Sequence, residues 1–298
     1  MLASLLTTIF FSFSVIFAAR SARLLGAGVA NLCRIVLAAC LLALWAHTRG
    51  AGLGGPGLAW FFASGVIGFG LGDMALFGAL PRIGPRLSIL LTQCLAAPIA
   101  AVVEYYWLGT QMSGKELGCA ALILAGVVLA LAPDHGAEGD RRVFWTGVAF
   151  GFGSALGQAL GAVISRKAIA VSTLAHFEID GGTAAYQRIL GGVLMTLICL
   201  WVFRPKQGSE VEKRQWGKGW PFVLGNALAG PTIGVGCYQW ALKSAPSGLV
   251  LPIVATSPLV TILLAFLIEG TRPSLRAVLG GAVAVAGAAA LSIVKAHP

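Results

Sequence analysis

NLCRIVLAACLLAL, residues 31–44, is an apolar run with one arginine inside it, Arg34. AYQRILGGVLMTLI, residues 185–198, has the same design, with Arg188 as its fourth residue just as Arg34 is the fourth of the first run. A guanidinium within a bilayer-spanning run is costly unless it faces other helices or water. Two such runs, one in each half of the chain, point to a bundle that buries polar groups inside itself.

The surroundings agree. The chain has 298 residues, of which 57% are hydrophobic and 11% charged. Soluble domains carry about 25% charged residues, so a soluble core is excluded. The apolar runs are continuous rather than alternating, which excludes a membrane β-barrel. The expected fold is an all-α integral membrane protein of the cell membrane, crossing it many times. A span needs about 20 apolar residues. Ten such stretches are present, at 2–19, 28–47, 57–79, 85–107, 113–132, 143–165, 182–203, 217–242, 247–268 and 273–294. The first lacks a basic leader and reads as a span rather than a signal peptide. The most polar connections are 133–142 and 204–218.

Two halves of five spans follow, residues 1–132 and 143–298. ALPRIGPRLSILLTQCLAAPIAAVV (79–103) corresponds to ALKSAPSGLVLPIVATSPLVTILLAFLIEG (241–270). Pro98 and Pro258, and Gly126 and Gly287, fall in matching helices. Five spans per half force opposite orientations, so the expected plan is two inverted repeats with a site at the midplane. Gly147, Gly151, Gly153, Gly157 and Gly161 recur along the sixth span and permit close helix packing.

These features resemble the drug/metabolite transporter superfamily in its ten-helix EamA-type form. Arg34 and Arg188, the Pro98 and Pro258 helices, LIEGTRPS (267–274) before GGAVAVAGAAAL (280–291), and GDMALFGALPRIG (72–84) carry the likeness. One departure is WLGTQMSGKELG (107–118), where Leu108 or Gly109 stands in the place of Glu269. The resemblance implies a secondary carrier, often an exporter, of small metabolites, amino acids or drug-like solutes. It implies no cofactor and no enzymatic activity.

Ionisable residues inside spans are candidate functional groups. Arg34 and Asp73 each lie about six residues in from the same membrane side, about 9 Å deep at about 1.5 Å per residue. They can pair, as a structural bridge or as a proton-coupling site. Arg188 has no acid at the matching place near Gly234 or Val235. It is either paired with Glu104 or free to anchor a carboxylate or phosphate. Ser12, Gln93, Gln158, Tyr238, Gln239, Trp240 and Thr256 complete the candidate substrate-binding set, with Trp240 and Tyr238 able to stack on a planar solute. Pro98, Pro252 and Pro258 are expected to interrupt the fourth and ninth helices, and Pro231 the eighth.

Other classes are disfavoured. The net charge of +10 sits mostly between apolar runs, as loops meet lipid headgroups, and no basic stretch forms a nucleic-acid groove. The six cysteines form no CxxC pair and read as small buried hydrophobes. The four histidines, His47, His135, His176 and His297, lie at span ends or in loops, so neither metal nor catalytic clusters are expected. No nucleotide-binding motif is present, so energy would come from protons, exchange or the solute's own gradient. A channel or membrane-embedded enzyme is the alternative, and a monomer or homodimer the expected assembly. Lys and Arg number 13 on the side of loops 20–27, 80–86, 133–142, 204–218 and 269–276, against 6 on the side of the termini. The positive-inside rule puts the first side in the cytoplasm; the resemblance implies the opposite.

Overall fold

The structure is a computed structural model that describes residues 1–131, 140–202, 215–269 and 274–296. The connections expected at 133–142 and 204–218 fall largely outside these residues, as do His135 and His297. Every element among the described residues is helical: α1 (Leu2–Leu25), α2 (Ala27–Thr48), α3 (Leu58–Gly65), α4 (Asp73–Leu108), α5 (Gly114–Leu131), α6 (Arg141–Leu174), α7 (Gly181–Val202), α8 (Trp216–Ala227), α9 (Val235–Ser244), α10 (Ser247–Val254), α11 (Ser257–Glu269) and α12 (Leu275–Ala296). Five helical stretches, Leu2–Leu25, Gly28–Thr48, Leu58–Leu76, Arg141–Leu174 and Gly181–Val202, are long and apolar enough to cross a membrane. Their outward faces carry Leu44, Trp145, Leu174 and Trp201, all exposed, as a lipid-facing surface requires.

The local signals explain the ends. Gly26 (φ 82°) separates α1 from α2, and Gly109 (φ 66°) terminates α4, both in conformations that favour glycine. Asp140 caps α6 by accepting from the Arg142 N–H at 2.8 Å. Asp180 caps α7, accepting from the backbone N–H of Gly182 (2.9 Å) and Thr183 (3.0 Å). Trp45 Nε1 donates to the same carboxylate at 2.9 Å and ties α2 to that end.

Two seven-residue π segments interrupt helices: Val66–Gly72 between α3 and α4, and Leu228–Gly234 between α8 and α9. A helix–π–helix unit thus occurs twice. Asp73 follows the first segment and Val235 the second. A π segment widens the helix and frees backbone groups, and such segments concentrate at functional sites.

The chain departs from the expected spans in three places. The loop expected at 80–84 is helical in backbone, because α4 runs from Asp73 to Leu108. It nonetheless reverses direction there. A Cβ at Gly161, Gly157 or Gly147 of α6 would meet Gly68, Gly72 and Ile83 in turn, so this stretch runs antiparallel to α6. Leu91 then meets Gly151, and Glu104 meets Arg166, so the rest runs parallel to it. No break occurs at Pro98, which lies within α4. The sixth span continues to Leu174, nine residues past its expected end. The interruption expected in the ninth helix falls at Ala255–Thr256, between α10 and α11.

Small residues set the packing. A Cβ on Gly157 would lie 2.5 Å from the Gly72 Cα, so α6 and the first π segment touch backbone to backbone. In the same way a Cβ on Gly126 of α5 would lie 2.6 Å from the Gly280 carbonyl oxygen of α12. Such close approach is how helices associate where no hydrophobic drive separates lipid from protein. Cys199 is buried, but Cys40 is exposed on the outer face of α2, contrary to the expectation of buried cysteines.

Candidate functional site

Arg34 of α2 and Asp73 of α4 form an ion pair, Nη2 to Oδ2, at 2.6 Å. Arg34 Nε also donates to Asn31 Oδ1 at 2.8 Å, one turn back on the same helix. The side chains are 12% and 21% exposed, so both are largely withdrawn from solvent. The pair cancels most of its own charge, and the second hydrogen bond fixes the guanidinium plane.

Arg188 of α7 is built differently. It is 4% exposed, yet makes no ion pair among the described residues, and its Nε has no hydrogen-bond partner. Its guanidinium carbon lies 5.0 Å from the Phe69 ring centre and 5.7 Å from that of Tyr238. Phe69 belongs to the first π segment and Tyr238 to α9, so both halves of the chain meet at this cation. Two ring faces stabilise it by a few kcal/mol at most, roughly 2 or so when desolvated. The Tyr238 hydroxyl also lacks a partner among the described residues. Asp73 is near enough to act on Arg188 through space.

Glu104, considered from sequence as a partner for Arg188, is engaged elsewhere. Its Oε1 accepts from Arg166 Nε at 2.9 Å. Its Oε2 accepts from the Ser247 backbone N–H at 2.8 Å and from the Ser247 hydroxyl. Arg166 Nη1 in turn donates to the Leu242 carbonyl at 2.8 Å. The carboxylate therefore caps the N-terminus of α10, where the helix dipole favours negative charge, and the arginine caps the end of α9. Sequence placed Arg166 in a connection. The extended α6 carries it inside a helix and makes it Glu104's partner.

The uncharged candidates divide into groups. Gln239 Nε2 donates to Ser165 Oγ at 3.3 Å, and Ser165 in turn meets Ser64 Oγ at 2.8 Å. Ser64 and Ser165 are buried residues that sequence reasoning did not select; a lone serine in an apolar span carries no distinguishing signal. Gln158 Nε2 approaches Gln93 Oε1 at 3.5 Å, across α6 and α4. Ser12 and Thr8 of α1 face the broken ninth helix: Ser12 Oγ lies 2.8 Å from the Ser257 carbonyl, and Thr8 Oγ1 3.1 Å from that of Ile253. Thr256 sits at the break and donates to the Ile253 carbonyl at 2.7 Å. Phe11, beside Ser12, lies 6.3 Å ring to ring from Tyr238 and links this group to Arg188. Trp240 is not brought to them. It is 46% exposed, because two residues along a helix turn it about 200° away from Tyr238. No group of three or more metal-ligating residues occurs among the described residues.

Residues 145–293 match the model of the EamA-like transporter family. A protein of known crystal structure has a similar fold, with a TM-score of 0.75 and 20% identity over 98% of each chain. At that identity the likeness concerns the fold alone. No curated protein matches the sequence.

Proposed function

Because this chain belongs to the EamA-like transporter family, membrane transporters of the drug/metabolite transporter superfamily, we propose that it is a secondary carrier working by alternating access. Residues 1–132 and 143–298 form its two inverted halves, and the solute binds between them. The observation that carries this reading is Arg188: a buried cation with no acid against it among the described residues, touched by aromatic rings from both halves. Charges so placed in a membrane mark solute or ion pathways. The twice-occurring helix–π–helix unit and the broken ninth helix supply the irregular backbone typical of carrier sites.

In this reading Arg188, Tyr238 and Gln239 hold the solute, with Gln93, Gln158, Ser12 and Thr256 lining its path. The glycine contact between α6 and the first π segment lets the halves shift without dragging side chains past each other. The solute is a small metabolite, amino acid or drug-like compound, and export from the cell is the proposed direction. Asp73 couples movement to protons or holds the Arg34 bridge.

Reconstitution into proteoliposomes tests the carrier. A carrier shows saturable counterflow, with labelled solute driven uphill by unlabelled solute on the other side. Flux that rises linearly with concentration and shows no counterflow points to a channel and overturns the proposal.

A further inference from the structure

The chemistry around Arg188 narrows the solute. An arginine keeps its proton in proteins and offers its donors in a planar fork. Here Phe69 and Tyr238 lie over that fork, 5.0 and 5.7 Å from its carbon. A further hydrogen-bond partner meets the guanidinium at its N–H edge, where its donors point. Among the described residues that edge is unsatisfied at Nε, and so is the hydroxyl of Tyr238, whose ring lies 5.7 Å from the guanidinium carbon. Buried polar groups without partners are rare in folded proteins and call for an explanation.

Glycines let the guanidinium sit close against backbone at this edge. A Cβ on Gly68 would lie 2.5 Å from Arg188 Nη2, and one on Gly161 3.0 Å from it. The two glycines come from different elements, the first π segment and α6, and the lack of a side chain on each is what lets Nη2 lie between them.

The acids nearby are already engaged. Asp73 is paired with Arg34 at 2.6 Å, and Glu104 is held by Arg166 and by the N-terminus of α10. At the position that would oppose Arg188 by repeat stands Val235. An incoming ammonium group therefore finds no free carboxylate among these residues, while an incoming carboxylate finds an unpaired guanidinium. One buried positive charge balances one negative charge; a dianion would carry an uncompensated charge into a medium of low dielectric.

We propose that Arg188 receives the carboxylate of an organic monoanion, and that zwitterions, cations and dianions of the same skeleton are poor ligands. This rests on the carrier reading of the same site and names its solute class.

Four probes of matched size separate the charge states: butyrate, 2-aminobutyrate, butylammonium and succinate. Binding to the purified full chain in detergent is measured by isothermal titration. Butyrate is expected to bind at least about tenfold more tightly than the other three, a factor that corresponds to about 1.4 kcal/mol. Arg188→Lys keeps the charge but loses the fork, and is expected to weaken butyrate about tenfold. Gly68→Ala crowds Nη2 without touching the charge and is expected to weaken butyrate in the same direction. Circular dichroism and gel filtration check that each variant folds, and the four-probe ranking on the parent decides even where a variant does not. Equal binding of butyrate and 2-aminobutyrate, tighter binding of butylammonium or succinate, or an Arg188→Lys protein that binds like the parent, overturns the proposal. Counterflow separates the two readings. Saturable counterflow of 2-aminobutyrate without butyrate binding sinks the solute class and leaves the carrier. Butyrate binding without counterflow of any probe sinks the carrier and leaves the anion site.

Discussion

Arg34 and Arg188 are each the eighth residue of a 22-residue helix, yet Arg34 touches a carboxylate and Arg188 touches two aromatic rings. The difference traces to one pair of positions. Asp73 follows the first π segment and Val235 the second. Like backbones therefore hold unlike electrostatics: a neutral pair in one half and an uncompensated cation in the other.

Supplying the missing acid tests that asymmetry. Val235→Asp is expected to pair with Arg188 and to compete with solute. Binding of an anionic probe should fall at least about tenfold, the scale of a lost charge-assisted contact. Titration of the variant against the parent measures it. Unchanged affinity would show that position 235 does not face Arg188.

Asp73→Asn leaves Arg34 without a counter-charge. Removing one partner of a buried pair costs about 3–5 kcal/mol, and partial exposure here places the expected loss near the lower figure. The double variant Arg34→Gln/Asp73→Asn is expected to recover part of it, as read by thermal unfolding in detergent. In proteoliposomes, Asp73→Asn is expected to abolish gradient-driven uptake and spare exchange. Equal gradient response in variant and parent would remove Asp73 from coupling and leave it as a bridge.

Glu104→Ala is expected to be more damaging than Glu104→Gln. Alanine strands Arg166 and removes the cap of α10, whereas glutamine keeps a hydrogen-bond acceptor for the Ser247 N–H. A lost cap alone costs about 1 kcal/mol, and the stranded arginine adds to it. Unfolding midpoints of the two variants, compared with the parent, give the order. The reverse order would mean that Glu104 carries neither duty.

Asp180, outside the spans, provides a pH signature. Burial pushes its carboxyl up, but hydrogen bonds from Thr183, Trp45 and Gly182 outweigh this and hold it below the ordinary aspartate value. A folded value below the unfolded one means that its stabilisation is complete above the ordinary value, near pH 4 or so, and is lost as pH falls through the lowered one. Stability of the parent should therefore decline through about pH 4 and below more steeply than that of Asp180→Ala. Parallel curves in both proteins would assign the acid limb to other groups.

How much of this was legible in the sequence follows from which physical rule applied. Helix rise is constant, so counting residues from a common membrane side put Arg34 and Asp73 at one depth. The membership of Tyr238 and Gln239 in the interior was readable, but that of Trp240 was not separable from theirs. Adjacent letters on a helix point in different directions, and the apolar ring tolerates either face. Glu104 was weighed only against Arg188, and Arg166 was missed as its partner, because ISRKAIAVSTL (164–174) resumes its apolar character after two charges, which hides how far α6 runs. The π segments left little trace. VIGFGLG and LAGPTIG share a final glycine and apolar composition, and seven residues are too few for a shifted period to show. The gap at 80–84 between the third and fourth spans marked the reversal, but not that its backbone stays helical.

The hydroxyls of α1 also bear on the order of assembly. Thr8 and Ser12 reach the Ile253 and Ser257 carbonyls, each contact joining residues 245 apart in the chain. At a synthesis rate of about 5–20 residues per second, α1 waits roughly ten to fifty seconds for its partners to emerge. During that wait the two hydroxyls are not bare, since each also meets the carbonyl four residues back in its own helix, Ser4 for Thr8 and Thr8 for Ser12. The first helix can thus sit stably in lipid as a lone span. When the broken ninth helix arrives, the same hydroxyls add a second tie to carbonyls that Thr256 and Thr261 already meet, and so join the two ends of the chain.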